Sequence, residues 1–449
     1  MKRKITLSIA LAVNLAVFPI AAGGCSSGSL TIKDKSGSEL AVLSSAELDE
    51  ASPYNAYLDA VLTEIIDIVA EMNSCTEEKA KTLLFDNNYT IDTCFDTEIY
   101  SAIDAAYSES DVNGEPFGCA VTDLNGGLCA VYSSDSSDGV NYSSAGFSPY
   151  STLKPLSVYA PAIENKTAYW SKVYKDSPFT KIKDDSGNAV NWPENATGLY
   201  SNENITVFQA IKESLNTVAV KCLDDYGVMN SIRFLRDNFD VNLDFEYKKA
   251  ASAENEVIGN LAMGYLYEGV SPTDMAGYYQ IFANGGKYSV PKAITKVTDS
   301  GGNVKYERKD DSKQVISEST SYIMNKLLQG VTEIGGTGTE AKPDGIPTGG
   351  KTGTGTANDC HWFVGFVPEY SCAVWHGGSM EKNYSPLIFN KIMSGINLEN
   401  QKLFPEADGV KQAVFCKESG LLCTQYCTQI DLGYYFADSE IGYCKIHRA

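Results

Sequence analysis

Three short strings stand in one order along this chain of 449 residues: Ser151-Thr152-Leu153-Lys154, then Ser214-Leu215-Asn216, then Lys351-Thr352-Gly353-Thr354. A serine hydroxyl is a weak nucleophile near neutral pH and needs a base within hydrogen-bond reach; a partly desolvated lysine with a lowered pKa can serve. If a helix starts at Ser151, the i, i+3 spacing places Lys154 on the same face, and the helix N-terminus adds partial positive charge near the nucleophile and its developing oxyanion. Pro155 is tolerated in that first turn, where backbone N–H groups have no helical partner.

Ser214 and Asn216 fall between two helical runs, so their side chains can project into a cleft, the hydroxyl relaying a proton and the amide holding both the lysine and a substrate backbone. On a strand, Lys351 and Gly353 point one way and Thr352 and Thr354 the other. Gly353 lets a substrate strand approach closely, and the Thr354 N–H can pair with that of Ser151 as an oxyanion hole. Lys351 and the threonine hydroxyls can bind a carboxylate. The expected catalytic residues are therefore Ser151, Lys154, Ser214, Asn216 and Lys351, with Thr352, Gly353 and Thr354 binding substrate; neither a cofactor nor a metal is expected. Short patterns recur by chance, and Ser289-x-x-Lys292 and Ser186-Gly187-Asn188 repeat two of them. Context sets these apart, since Ser186 lies in a solvated turn and Ser289 in an extended segment before a proline.

The elements that must carry these residues read as mixed α/β. Leu58, Val61, Leu62, Ile65, Val69 and Met72 recur at helical spacing, and Ser74-x-x-Glu77 has the form of a capping box opening the next helix. Two apolar runs around Asn125-Gly126, from Phe117 to Val131, predict a β-hairpin. Ser271-Pro272-Thr273-Asp274 predicts a helix start and Gly285-Gly286 an end. Trp362 to Val367 and Cys372 to Trp375 predict strands continuing the sheet from the Lys351 strand. The expected organisation is a signal segment over 1–24, a polar tether over 25–50, a helical platform over 51–115, the main domain over 116–400 and a Cys-rich extension over 401–449.

With 57 acidic against 36 basic residues the net charge is −21, which excludes nucleic acid as a partner and leaves no basic patch for phosphate. Lys2, Arg3 and Lys4 precede an apolar run ending at Ala22-Gly23-Gly24-Cys25, the pattern of an export signal followed by a cysteine that would carry a lipid, with an uncleaved anchor or a fully cleaved signal as alternatives. Of the twelve cysteines, the eleven that remain if Cys25 is lipidated are expected to form disulfides in an oxidising compartment, with at least one unpaired and the connectivity open. Zinc in the tail, where His447 stands near Cys416, Cys423, Cys427 and Cys444, is set aside because no Cys-x-x-Cys pair occurs there.

The flanks of the three strings extend the likeness. Ser-Thr-Leu-Lys-Pro, Glu-Ser-Leu-Asn-Thr-Val-Ala-Val, Gly-Val-Ser-Pro-Thr-Asp-Met-Ala, Gly-Gly-Thr-Gly-Thr, Gly-Lys-Thr-Gly-Thr and Trp-Phe-Val-Gly-Phe-Val-Pro occur in this order. In them the chain resembles the transpeptidase domain of class A penicillin-binding proteins of Gram-positive bacteria, from about Tyr54 to the end. The resemblance implies the penicillin-binding protein/β-lactamase-like fold, an antiparallel sheet packed between helices. It implies a D,D-transpeptidase on the outer face of a bacterial membrane, acylated at Ser151 by a D-Ala-D-Ala stem peptide, deacylated by the amine of a second stem, and blocked covalently by β-lactams.

By the same resemblance Lys154 is the base, Ser214 and Asn216 assist proton transfer, and Lys351, Thr352 and Thr354 hold the carboxylate. The sequence departs from the family at Tyr150, where glycine is usual, and at Pro161, which would kink or end the nucleophile helix. No glycosyltransferase domain fits between Cys25 and Tyr54, so a separate glycan polymerase is an expected partner. Water in place of the amine would give a D,D-carboxypeptidase or a β-lactamase, for which Glu256-x-x-x-Asn260 has the form of a deacylating motif. A non-catalytic penicillin-binding sensor or scaffold is a third reading.

Overall fold

A computed structural model of the chain describes residues 28–44, 54–136, 139–184, 186–250, 253–398 and 402–447. Its main sheet is antiparallel and has five strands in the order Gly349–Thr354, Cys360–Phe366, Tyr370–Gly377, Phe117–Asp123, Leu128–Ser133. The hairpin around Asn125-Gly126 and the strands following Lys351 stand where the sequence predicts them. Alternation along each strand sends neighbours to opposite faces, and both faces are covered by helices. Phe363 and Val374 join Ile99, Ile103, Phe389 and Ile392 of the Thr97–Ser108 and Ser385–Ser394 helices. Trp362, Val364 and Ala373 belong to the larger core on the other face, with Met275, Leu327 and Leu328 of the Pro272–Tyr279 and Glu318–Thr332 helices. Ser271 caps the first of these through a reciprocal bond with Asp274.

The expected platform and tether are revised. The Asn55–Asn73 helix buries Leu58, Val61, Ile65 and Val69, as its periodicity predicts, but the next helix is capped by Thr76. Ser74 instead ends the first helix in a left-handed conformation, φ 49°, and so cannot cap the second. Residues 29–44 are not a tether but a hairpin of strands Ser29–Lys33 and Glu39–Ser44. It belongs to a second sheet in the order Val304–Glu307, Ile294–Thr298, Thr90–Thr93, Ser29–Lys33, Glu39–Ser44. Burial of Leu30 and Ile32 on one side of the hairpin supplies the driving force. The platform and the main domain therefore interlock, because Thr90–Thr93 pairs with Ile294–Thr298 and the Thr97–Ser108 helix shares the main-sheet core.

The C-terminal extension is a hairpin of Val410–Cys416 and Ile430–Phe436 laid against the body. Tyr435 Oη donates to Ser171 Oγ at 2.9 Å, and Trp170 stacks on Phe208 with centroids 4.8 Å apart while meeting Tyr434 on another side. The expected disulfides are not found among the described residues: eleven cysteines all carry free sulfurs. Cys119 and Cys372 are buried with their sulfurs 3.9 Å apart, filling space as small apolar side chains. Residues 1–27, including the export signal and Cys25, lie outside the described residues, and no described helix is long and apolar enough to cross a membrane.

Candidate active site

Ser151 sits in a tight turn, Tyr150–Leu153, that runs on through Pro155–Tyr159 into the Ala160–Glu164 helix. Pro155 starts the segment without cost, as its missing N–H would have no partner there. The expected effect of Pro161 takes a different form: the chain passes it with the preceding turn widened, Ala160 N–H bonding to Pro155 O, and the helix ends at Glu164. Tyr150 adopts φ 47°, a region in which residues with a side chain are uncommon, which accounts for the glycine usual at this place in the resembling family. It is held by its N–H bonding to Gly264 O at 3.0 Å. A Cβ on Gly264 would lie 2.0 Å from Tyr150 O, so only glycine admits this contact.

Lys154 and Lys351 are both fully buried. Lys154 Nζ donates to Asn216 Oδ1 at 2.6 Å and Ser214 O at 2.8 Å, with Ser214 Oγ at 3.5 Å. Lys351 Nζ donates to the same Ser214 Oγ at 2.8 Å and to Thr352 O at 3.2 Å. Burial lowers both pKa values: that of Lys351 to about 7, and that of Lys154 well below its ordinary range, with the charge of Lys351 adding to the effect. Two ammonium groups that share one hydroxyl repel each other, so one surrenders its proton at neutral pH. The expected catalytic set Lys154, Ser214, Asn216 and Lys351 is thus brought together, one turn from Ser151.

Ser214 can do this because it ends the Val207–Glu213 helix in a left-handed conformation, φ 62°, before the Asn216–Tyr226 helix begins. A buried carboxylate that the sequence reading missed anchors the junction. Asp176 accepts from Thr217 Oγ1 at 2.6 Å, Asn195 Nδ2 at 2.8 Å and Ser201 N–H at 2.8 Å. Burial raises its pKa, but these hydrogen bonds together outweigh that and hold it below the ordinary range. Asn195 Oδ1 in turn accepts the Asn216 N–H at 3.0 Å. No motif marks Asp176 or Asn195, and only the fold brings them to the site.

Thr352 and Thr354 lie on the outer side of their strand and Lys351 and Gly353 on the buried side, as alternation predicts. At Gly353 a Cβ would stand 2.8 Å from Pro149 O and 3.1 Å from Thr152 Cγ2, so the missing side chain admits the close approach of the nucleophile turn. Asn383 fastens this strand to its neighbour, donating to Gly353 O at 3.1 Å and Trp362 O at 2.9 Å. Thr337, within the string Gly-Gly-Thr-Gly-Thr, meets Thr352 hydroxyl to hydroxyl at 2.7 Å and extends the exposed row of hydroxyls beyond the expected set. The two repeated patterns stay apart from the site, with Ser186 in a turn closed by Asp184 and Lys292 paired to Asp311. Glu256 is solvent-exposed and faces Lys249.

The model of the family described as the penicillin binding protein transpeptidase domain matches residues 118–394, more than half of the chain. The chain belongs to that family. It is 30% identical over 395 residues to penicillin-binding protein 1A of Clostridium acetobutylicum, covering 82% of this chain and 48% of that protein. It is also 30% identical over 340 residues to penicillin-binding protein 1F of Bacillus subtilis, covering 72% and 43%. The chain thus spans about half the length of these curated relatives. Among solved structures it is similar to the D,D-transpeptidase domain of a peptidoglycan glycosyltransferase from Eggerthella lenta. That match has a TM-score of 0.64 at 18% identity and covers 83% of this chain and 98% of the other. This likeness establishes the fold, an α/β arrangement with its antiparallel sheet between helices.

Proposed function

We propose that the chain is a serine D,D-transpeptidase that cross-links peptidoglycan stem peptides. The observation that carries this reading is the convergence of two fully buried lysines, Lys154 and Lys351, on the Ser214 hydroxyl beside Ser151. Ser151 Oγ attacks the carbonyl between two D-alanines and its proton passes to neutral Lys154 Nζ, while the N–H groups of Ser151 and Thr354 receive the oxyanion. The proton returns through Lys154 and Ser214 to the departing D-alanine, and an amine of a second stem then attacks the acyl-enzyme. Thr352, Thr354 and Thr337 with Lys351 hold the terminal carboxylate.

Support for covalent inhibition by β-lactams comes from penicillin-binding protein A of M. tuberculosis, a structural neighbour with TM-score 0.63 and 15% identity that was solved as an imipenem acyl-enzyme. A β-lactamase reading is disfavoured by the exposure of Glu256, its expected deacylating group. Anchoring at the outer face of a membrane is part of the same proposal, supported by the export signal and Cys25 that the sequence carries.

The test is to treat the protein and its Ser151→Ala variant with a fluorescent penicillin, then with a D-Ala-D-Ala peptide, with and without an acceptor amine. Stable label on the parent alone, and cross-linked product only with acceptor, are expected. Label on both proteins overturns the nucleophile assignment. Rapid loss of label from the parent identifies a β-lactamase, and release of D-alanine without cross-linking a carboxypeptidase.

A further inference from the structure

The C-terminal hairpin gathers four groups that the transpeptidase chemistry does not use. Cys416, Cys427, Cys444 and His447 each offer one ligand atom, and these atoms all lie within 4.8 Å of one another. His447 Nδ1 stands 3.5 Å from Cys416 Sγ and 3.5 Å from Cys444 Sγ. A tetrahedral zinc ion with Zn–S near 2.3 Å and Zn–N near 2.0–2.1 Å has an S···N edge of about 3.5 Å. A disulfide would need two of the sulfurs at about 2.0 Å and would leave the third sulfur and the imidazole with no role. We propose that Cys416, Cys427, Cys444 and His447 form a structural zinc site that closes the C-terminal extension.

The surroundings suit a closed metal site. His447 Nε2 faces Glu418 Oε1 at 3.4 Å, the carboxylate contact that orients a ligating imidazole and leaves Nδ1 free to bind. The Thr424 N–H points at Cys427 Sγ from 3.3 Å, a donor that steadies a thiolate. Backbone bonds hold the ligand-bearing segments together before any ion enters: Cys416 N–H to Leu421 O at 2.8 Å and Cys444 N–H to Leu422 O at 2.7 Å. Four protein ligands leave no open position for water, the mark of a structural rather than a catalytic ion. On binding, each thiol loses its proton to solvent and the imidazole coordinates in its neutral form. The expectation of a metal-free tail rested on the missing Cys-x-x-Cys pair, but folding brings ligands from three separate stretches to one place.

Such an ion would act at a distance from Ser151 through packed rings. The hairpin it closes rests on Trp170, which stacks on Phe208 of the helix that ends at Ser214. Zinc would stiffen the tail that backs this helix, without touching substrate.

The test is metal analysis of the full chain isolated without chelators, together with mass spectrometry of its cysteines under non-reducing conditions. About one zinc per chain is expected. Cys427→Ser and His447→Ala should lose most of it and melt at lower temperature, whereas Cys423→Ser, altering the cysteine outside the cluster, should keep it. A parent chain that takes up no zinc even after reduction and incubation with excess zinc overturns the proposal. So does a disulfide between any two of Cys416, Cys427 and Cys444 in the isolated protein, or full zinc retention in His447→Ala.

Discussion

Lys154 and Lys351 reach the same oxygen, Ser214 Oγ, from 3.5 and 2.8 Å. The hydroxyl can donate to only one of them, and only to a lysine that has lost its proton. The arrangement therefore couples the protonation of Lys154, the proposed base, to that of Lys351, proposed to hold the carboxylate. Replacing Ser214 with Ala breaks the coupling yet leaves Lys154 bonded to Asn216. Acylation by a fluorescent penicillin should slow by about 10²- to 10³-fold with little change in melting temperature. An unchanged second-order rate would remove Ser214 from the proton path.

Stability should depend on pH through the same lysines. Folding lowers the Lys351 pKa from 10.5 to about 7, so above about pH 7 the unfolded chain holds a proton that the folded chain has released. Where the unfolded state binds more protons, stability rises with pH, by up to about 1.4 kcal/mol per pH unit for one group. Below about pH 7 both states carry the proton and the burial penalty is felt in full. Denaturant melts at pH 7 and 8 should show this rise, and Lys351→Met should reduce it to the part that Lys154, also lowered by burial, contributes. An undiminished slope in Lys351→Met would assign it to another group.

Gly353 offers a check on the contact between strand and nucleophile turn. In Gly353→Ala the new methyl falls 2.8 Å from Pro149 O, so either the turn or the strand must shift. Overpacking of this kind costs about 1–3 kcal/mol. A displaced nucleophile typically loses about 10²-fold in rate, so penicillin labelling should fall on that scale while the protein remains folded. If labelling persists and only peptide turnover falls, the glycine serves substrate approach after all.

A second pair of buried bases lies across the sheet. His361 and His376 stack face to face on paired strands, with centroids 4.6 Å apart. His376 is fixed as a neutral tautomer, Nδ1–H donating to Gly377 O and Nε2 accepting the Tyr384 N–H. Burial, with the neighbouring His361 adding to it, lowers its pKa from 6.5 to about 4. Between these values the unfolded chain takes up a proton that the folded chain refuses, so stability is lost as pH falls from about 6.5 to 4. The loss from His376 alone is on the order of 3 kcal/mol. His376→Asn should reduce it, as read by chemical denaturation at pH 4.5 and pH 7. An equal loss in the variant would show that the pair does not cause it.

Much of the site was legible because the reaction demands particular residues on particular elements. Ser151 and Lys154 needed a helical turn and Lys351 a buried strand position, and both demands leave marks in neighbouring residues such as Pro155 and Gly353. Asp176 and Asn195 left no mark, since a buried hydrogen-bond network depends on loop paths that local sequence does not encode. The Ser29–Ser44 hairpin was open to detection: Leu30 and Ile32 alternate with polar residues, but serine and glycine on either side read as a tether. The cysteines misled in another way. Their number and the export signal favoured disulfides, whereas the chain path of the tail draws three of them and a histidine to one point.

The second sheet also constrains the order in which the protein can be completed. Thr90–Thr93 receives Ser29–Lys33 on one side from close in sequence, but on its other side it waits for Ile294–Thr298. The Thr295 hydroxyl bonds back to Asp92 O across 203 residues. A growing chain therefore carries an open strand edge through the synthesis of the nucleophile turn and of Ser214. Closure of that edge is a late, long-range event that slows folding, and a chain cut short before Ile294 would leave the edge free to pair with its own copies.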